Sequence, residues 1–309
     1  MGLFNSYLKE GPGVDKNAKR RKGIFLYFEI IFAKFFKFIK TNALYSLVSL
    51  PYYALAFFVL APFVMRGLGI ESAMQKLSQE DSMDVNTMQM IIQSMFMVLI
   101  VNFFGSGPAS ASYAYITRCF TRAEHAWILS DGKDKFKENL KNSFLLLAAD
   151  VVIILLSTNA VYFYSQFAAS QSGMMAALMS LVRYFIVVLM FIYVMMHMYT
   201  YQIMVTYECN FRTLLKNSFV MAMAKLPMNI LLMVVTCAVM VIPMMYLNPV
   251  ICILFYMIVG MMFARYPFEF YSARVIERNI KAVEKKNKNR NTSAESAEEK
   301  PEVIFEDVH

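Results

Sequence analysis

Residues 142–167 read NSFLLLAADVVIILLSTNAVYFYSQF, and residues 174–206 read MMAALMSLVRYFIVVLMFIYVMMHMYTYQIMVT. Each run is longer than the roughly 20 apolar residues that a helix needs to cross a hydrocarbon core about 30 Å thick. The turn-forming residues Ser170, Gln171, Ser172 and Gly173 lie around the gap between them. The two runs therefore predict a hairpin of transmembrane helices.

Similar apolar runs lie on both sides of this hairpin. We predict an all-α membrane protein with about six transmembrane helices, at residues 41–65, 88–105, 142–167, 174–206, 226–246 and 250–268. Of the 309 residues, 58% are hydrophobic and only 17% are charged. Soluble domains contain about 25% charged residues, so the composition excludes an ordinary soluble protein.

The first apolar stretch contains Lys34, Lys37 and Lys40 at every third position. This spacing places the three cations on one helical face, with several phenylalanines opposite. It predicts an amphipathic helix lying on an anionic leaflet, and the alternative is an N-terminal extension of the first span. The chain then divides into a polar N-terminal segment, this interfacial helix, a six-span domain that includes a cytoplasmic block, and a disordered charged tail: residues 1–23, 24–40, 41–281 with 107–142 inside it, and 282–309.

The lysines and arginines predict the orientation. They are concentrated in the flanks on one side of the spans, whereas the other side has only Arg66 and Lys76. Because short loops rich in Lys and Arg stay in the cytoplasm, both termini are predicted to be cytoplasmic. The same distribution explains the net charge of +8 without nucleic acid as a partner.

A short string recurs in the sequence. Lys141-Asn142-Ser143-Phe144 is repeated as Lys216-Asn217-Ser218-Phe219, and a weaker echo, Lys40-Thr41-Asn42, comes before the first span. Each copy leads into an apolar hairpin. The pattern predicts three units, each a short leading helix followed by a hairpin of two spans, and a chance recurrence is the alternative.

Asp150 and His197 are ionisable residues inside predicted spans. An ionisable group in the membrane is a functional-site hypothesis that needs a partner, and the two residues are matched in depth. The pair predicts a proton or cation relay, or alternatively a polar contact that only holds two helices together.

The residues Gly105, Gly107 and Pro108 interrupt a long uncharged run. This helix break could present backbone donors to an anion, or it could mark where the second span ends and a cytoplasmic helix begins. The sequence contains no phosphate-binding glycine loop, no zinc-ligand spacing and no Ser/His/Asp set in motif context, and it has only three histidines. We therefore expect no enzyme activity and no catalytic, cofactor-binding or metal site.

The segment after this break contains a series of short motifs: Gly107-Pro108-Ala109-Ser110, Tyr115-Ile116-Thr117-Arg118, Glu124-His125, Ser130-Asp131 and Phe136-Lys137-Glu138-Asn139. With these motifs the chain resembles the YesL family of bacterial membrane proteins. The resemblance covers roughly residues 11–281, and it departs at Gly132, where the family more often has an aromatic residue. The resemblance implies a bacterial cytoplasmic membrane location and an accessory role in carbohydrate utilisation, although the biochemical role of the family is not established.

The same segment combines mixed charge with Trp127, the only tryptophan. Trp and Arg are frequent anchors of protein interfaces, so we predict a docking surface for a membrane transport or carbohydrate-utilisation protein. Its candidate residues are Arg118, Arg122, Trp127, Asp131, Phe136 and Lys137. The function predicted from sequence is thus a non-enzymatic accessory protein in contact with the lipid bilayer. The alternative is a transporter of a small solute, such as a sugar or an ion, or a permease-like subunit. The sequence predicts neither the substrate nor the oligomeric state.

Overall fold

The computed structural model describes residues 23–74 and 85–281, and all regular structure in these ranges is helical. The helices are α1 (Ile24–Ala33), α2 (Phe35–Gly67), α3 (Val85–Phe104), α4 (Pro108–Arg122), α5 (Ile128–Glu138), α6 (Leu140–Ser170), α7 (Gly173–Met204), α8 (Phe211–Ala224), α9 (Leu226–Tyr246) and α10 (Val250–Lys281). The predicted polar segment, except Gly23, and the predicted tail 282–309 lie outside the described residues.

Six of the described helices, α2, α3, α6, α7, α9 and α10, are long and apolar enough to cross a membrane. This confirms the prediction of an all-helical chain with six helices that are able to span a membrane. Large apolar side chains such as Leu156, Phe185 and Leu231 point outward from these helices and are exposed. Lipid tails are a suitable solvent for such surfaces, so these features are those of a multi-pass membrane protein.

The helix boundaries differ most from the prediction at two places. Residues 24–40 do not form one helix, because Lys34 leaves the helical conformation and separates α1 from α2. The last span was predicted to end at residue 268, but α10 continues to Lys281. Its final part alternates buried residues such as Phe268, Val275 and Ile276 with polar ones, because it packs against other helices instead of entering water.

Each pair of spans follows a short helix. The helices α1, α5 and α8 join the next span through a single non-helical residue: Lys34 (φ −116°, ψ 21°), Asn139 (φ −96°, ψ 10°) or Lys225 (φ −122°, ψ 25°). The recurring sequence string has a different register. Residues 141–144 begin the span α6, whereas residues 216–219 lie inside the short helix α8.

Helix α4 lies inside the bundle and is mostly buried. Ala111 and Ala114 contact a cluster formed with α7, α8 and α10. Ile116 and Phe120 contact a second cluster, formed with α1 and the buried Tyr266 of α10. The predicted cytoplasmic block 107–142 therefore has two parts, a buried helix α4 and a largely exposed helix α5, in which only Gly132 is buried.

Two spans contain a π-helical turn, at Ala56–Leu60 in α2 and Tyr256–Gly260 in α10. A π turn leaves backbone carbonyls less well satisfied by their own helix, and here side chains of neighbouring helices donate to them. Gln93 Nε2 donates to the Phe57 carbonyl (2.6 Å) and Asn42 Nδ2 to the Ile258 carbonyl (3.1 Å). These bonds couple each irregular turn to another span.

Candidate functional site

Asp150 of α6 and His197 of α7 meet in the interior of the bundle. His197 Nε2 lies 2.8 Å from Asp150 Oδ1, and both side chains are buried. Neither ring nitrogen of His197 makes a hydrogen bond within the described residues, so this contact is a close approach without hydrogen-bond geometry. The structure thus brings together the two residues that the sequence paired by depth.

Aromatic side chains surround this pair. Tyr193, one turn before His197, donates a hydrogen bond from its hydroxyl to Asp150 Oδ1 (2.7 Å). The rings of Tyr193 and Phe104 lie 5.0 Å and 5.3 Å from the imidazole, measured between centroids. One carboxylate oxygen therefore has two polar neighbours inside an aromatic enclosure.

A second charged pair lies in α10. Arg265 is 3% exposed and Glu269 is 5% exposed, and Arg265 Nε lies 3.3 Å from Glu269 Oε1. Arg265 thus lies in the interior of the bundle, within the last span that the sequence predicts at residues 250–268. The charge is tolerated in the interior because Glu269 lies one helical turn further on and neutralises it.

Residues from three other helices complete the surroundings of this second pair. Gln202 Nε2 of α7 donates to Glu269 Oε2 (2.6 Å) and to the Ala114 carbonyl of α4 (2.9 Å). Arg265 Nη1 donates to the Tyr45 hydroxyl of α2 (3.0 Å). The pair is therefore a point where α2, α4, α7 and α10 are tied together.

Tyr201 lies between the two charged pairs. Its ring is 6.3 Å from the imidazole of His197 and 5.7 Å from the guanidinium of Arg265. The guanidinium also faces the rings of Tyr45 and Tyr113 at 5.3 Å and 5.5 Å, distances at which cation–π attraction operates. We call the set Asp150, Tyr193, His197, Tyr201, Gln202, Arg265 and Glu269 the polar centre.

A chain of hydroxyl groups continues from the polar centre. The Tyr45 hydroxyl lies 3.2 Å from Ser110 Oγ, which accepts a hydrogen bond from the backbone N–H of Ser106 (2.7 Å). Ser106 Oγ lies 2.6 Å from Ser49 Oγ. This chain connects Arg265 to the break between α3 and α4.

Several buried polar atoms of this region have no hydrogen-bond partner among the described residues. They include Asp150 Oδ2, His197 Nδ1, Gln202 Oε1, Asn102 Nδ2 and the Tyr52 hydroxyl. Leaving such an atom unsatisfied costs about 1–3 kcal/mol, and these atoms are concentrated in one region of the bundle. Within the described ranges, no group of three or more His, Cys, Asp or Glu side chains could hold a metal ion.

The helix break has the geometry expected of a tight connection. Gly105 and Gly107 have φ angles of +79° and +65°, and Pro108 is the first residue of α4. Pro at this position needs no helical donor. The break thus turns the chain from α3 into the buried helix α4, where Ser106 joins the hydroxyl chain.

The six candidate docking residues do not form one surface. Arg118 is half-buried and donates from Nη1 to the Val205 carbonyl (2.9 Å) and Thr206 Oγ1 (2.6 Å), just after the end of α7. Burial, and secondarily the nearby Arg122, lower the pKa of the Arg118 guanidinium. Phe136 packs against the core. These two residues therefore have structural contacts within the chain.

The other docking candidates lie at the surface. Trp127 is 69% exposed, and its ring contacts that of His125 at 4.8 Å. Asp131 Oδ2 accepts a hydrogen bond from the Trp127 backbone N–H (2.9 Å), which fixes the start of α5. Arg122 is exposed, with Nε 3.2 Å from Glu124 Oε1, and Lys137 is exposed. An exposed surface around α5 therefore exists, but it is smaller than predicted.

Sequence reasoning missed Arg265, Glu269, Gln202 and Tyr45. The available signal was the four-residue spacing of Arg265 and Glu269, which places opposite charges on one helical face. Apolar residues also continue beyond residue 268 at helical spacing. Tyr45 and Gln202 gave no comparable signal, since both are common in helices.

Comparisons with protein-family models, with curated proteins and with solved structures gave no match for this chain. The resemblance to the YesL family therefore depends on the residues quoted above.

Proposed function

We propose that this protein is a membrane transporter of a small solute, or a subunit of one, in which the Asp150–His197 pair binds and releases a proton. The observation that carries the proposal is the 2.8 Å contact between these two ionisable side chains, buried where α6 and α7 meet. Ionisable groups inside membrane bundles commonly serve as proton relays. We propose no chemical transformation of the solute and no enzymatic activity.

The residues around the pair suit a proton-binding role. Asp150 keeps one oxygen without a hydrogen-bond partner among the described residues. The other oxygen accepts a hydrogen bond from Tyr193 and lies 2.8 Å from His197 Nε2. A proton can therefore join the carboxylate without breaking an existing bond. The charged groups Arg265 and Glu269 lie on the other side of Tyr201.

The apolar runs of the sequence contain few polar residues, a composition that by itself disfavours transport. That argument weakens because four further polar or charged side chains, Asn102, Gln202, Arg265 and Glu269, are buried in the bundle. Transporters typically have such groups near their solute path. Polar groups concentrated in one region of the bundle favour solute handling over a purely structural bundle.

The Asp150→Asn variant tests this function. Asn keeps the shape and the acceptor for Tyr193 but cannot exchange a proton, so solute-dependent proton uptake should fall to the level of empty liposomes. The measurement uses purified protein in liposomes with an internal pH-sensitive dye and mono- and oligosaccharides as candidate solutes. Glu277→Gln, which neutralises a carboxylate near the end of α10, is the matched control and should retain uptake.

Unchanged uptake in Asp150→Asn would rule out the relay. A double-mutant cycle of Asp150→Asn and His197→Gln, measured as unfolding free energy, tests the contact separately. If the cycle shows a coupling energy but the unsubstituted protein shows no solute-dependent proton uptake, the pair is a purely structural contact, which would contradict the proposed function.

The second candidate is an accessory protein that docks a carbohydrate-uptake or carbohydrate-utilisation protein on its cytoplasmic face. Exposed apolar residues at the start of α5 favour it, because Trp127, just before the helix, is 69% exposed and Leu129 is 59% exposed. The resemblance to the YesL family supports the same role by association. Trp127→Ala should then reduce recovery of a co-purified partner while leaving liposome uptake unaffected.

We further propose that the chain lies in a bacterial cytoplasmic membrane with both termini inside, built as three units of a leading helix and a hairpin. The similar junctions at Lys34, Asn139 and Lys225 support the three-unit arrangement. The distribution of Lys and Arg supports the orientation.

Cysteine labelling checks this orientation. A membrane-impermeant reagent should label a cysteine at Ser172, in the turn between α6 and α7, in intact cells. It should label one at Ser130, in α5, only after permeabilisation. Because the native chain has four cysteines, the experiment needs a background in which they are replaced. Reversed labelling at the two sites would contradict the orientation.

A further inference from the structure

An apolar groove lies between α2, α4 and α5, outside the polar centre. Its volume is about 380 Å³, and its walls include Leu44 and Val48 of α2, Ile116 of α4, and Leu129 and Phe136 of α5. Gly132 forms part of the wall, and a Cβ atom built there meets nothing within 4 Å. The absence of a side chain at this position therefore keeps the groove open.

Cations flank the groove at one end. Lys133 lies on its wall, and an adjoining cavity of about 400 Å³ is lined by Lys40, Trp127 and Ser130. The two cavities share Ile128 and Leu129. The apolar groove thus adjoins a second cavity that is bordered by an exposed lysine and a tryptophan, residues that are typical of the membrane interface.

We propose that this groove binds an acyl chain of an anionic phospholipid, whose phosphate contacts Lys40 and Lys133. The charge of the two lysines complements a phosphate diester, and the apolar walls complement the methylene chain. The side chain of Trp127 covers the junction between the acyl chain and the headgroup.

Trp127 provides the measurement, because it is the only tryptophan of the chain. Phospholipids brominated on the acyl chain quench tryptophan fluorescence on contact. In vesicles with increasing mole fractions of brominated lipid, phosphatidylglycerol should quench Trp127 at a lower fraction than phosphatidylcholine. Lys40→Gln and Lys133→Gln should each raise the half-quenching fraction of phosphatidylglycerol by roughly fivefold, as expected for one lysine at an anionic surface.

Three variants serve as comparisons. Lys137→Gln removes an exposed lysine of α5 that lines neither cavity, and it should leave both curves unchanged. Gly132→Phe should fill the groove and abolish the preference for the anionic lipid. Gly132→Ala adds only one methyl group and should retain the preference, which separates filling of the groove from a change in α5.

Equal quenching by the two lipids would overturn the proposal, as would an effect of Lys137→Gln equal to that of Lys133→Gln. Quenching by neither lipid would mean that a protein or a second copy of the chain covers Trp127, which also contradicts it. Loss of the preference in Gly132→Ala would show that the volume of the groove is not the cause.

Discussion

Arg265→Met should lower the free energy of unfolding by about 3–5 kcal/mol, the range observed when one partner of a buried ion pair is removed. The variant leaves Glu269 buried, with Gln202 as its remaining donor. It also removes the donor to the Tyr45 hydroxyl. Equilibrium unfolding of the purified protein in detergent micelles, followed by helical circular dichroism during a titration with SDS, measures this loss.

The same helix provides a matched control. Lys281 and Glu277 are also four residues apart, with Nζ 2.8 Å from Oε1, but this pair lies at the surface. Because water screens exposed pairs, Lys281→Met should change the unfolding free energy by about 0.5 kcal/mol or less. The double variant Arg265→Met/Glu269→Leu should recover part of the loss, since two apolar side chains replace a buried pair well. Equal effects of Arg265→Met and Lys281→Met would mean that burial of the first pair is not the cause.

Gly105→Ala should destabilise the protein by about 3 kcal/mol or more, from a left-handed backbone conformation and from overpacking. At φ +79°, the new Cβ would lie 2.5 Å from Ser110 Oγ and 2.8 Å from Tyr201 Cε2. Ser110 cannot move freely, because it accepts a hydrogen bond from Ser106 and contacts the Tyr45 hydroxyl. The same SDS titration gives the loss.

Gly173→Ala isolates the backbone contribution. Gly173 also has a positive φ, +63°, but a Cβ atom there meets nothing within 4 Å. Its replacement should cost only about 1–2 kcal/mol, the value for an L-residue in the left-handed region. If the two variants were equally destabilised, the close packing between Gly105 and the polar centre would have no energetic importance.

The spans could be predicted from the sequence because lipid imposes a simple requirement. Long runs of Leu, Val, Phe and Met satisfy it locally, so α6 and α9 are visible without any tertiary information. The burial of α4 was not visible. Its Ser110, Thr117 and Thr121 side chains lower its hydropathy, and hydropathy does not distinguish a polar helix buried among other helices from one in water.

Part of the candidate site could also be predicted from local sequence patterns. Asp150 and His197 are isolated ionisable residues within apolar runs, so each is conspicuous alone. Arg265 is not conspicuous in this way, because a charged residue after an apolar run normally marks the end of a span. Its burial depends on Tyr45, which is 220 residues away in the chain, and no local pattern contains that information.

The π turn at Tyr256–Gly260 has a consequence for the angular phase of α10. One extra residue rotates everything after it by about 100° around the helix axis, since an α-helix has 3.6 residues per turn. With an ordinary turn at this place, Arg265 would face about 100° away from Tyr45, and Glu269 would rotate with it. Ser46 and Asn42 donate hydrogen bonds to the carbonyls of Met257 and Ile258 in this π turn. By stabilising the turn, they fix the direction in which the charged side chains face, more than one helical turn further along α10.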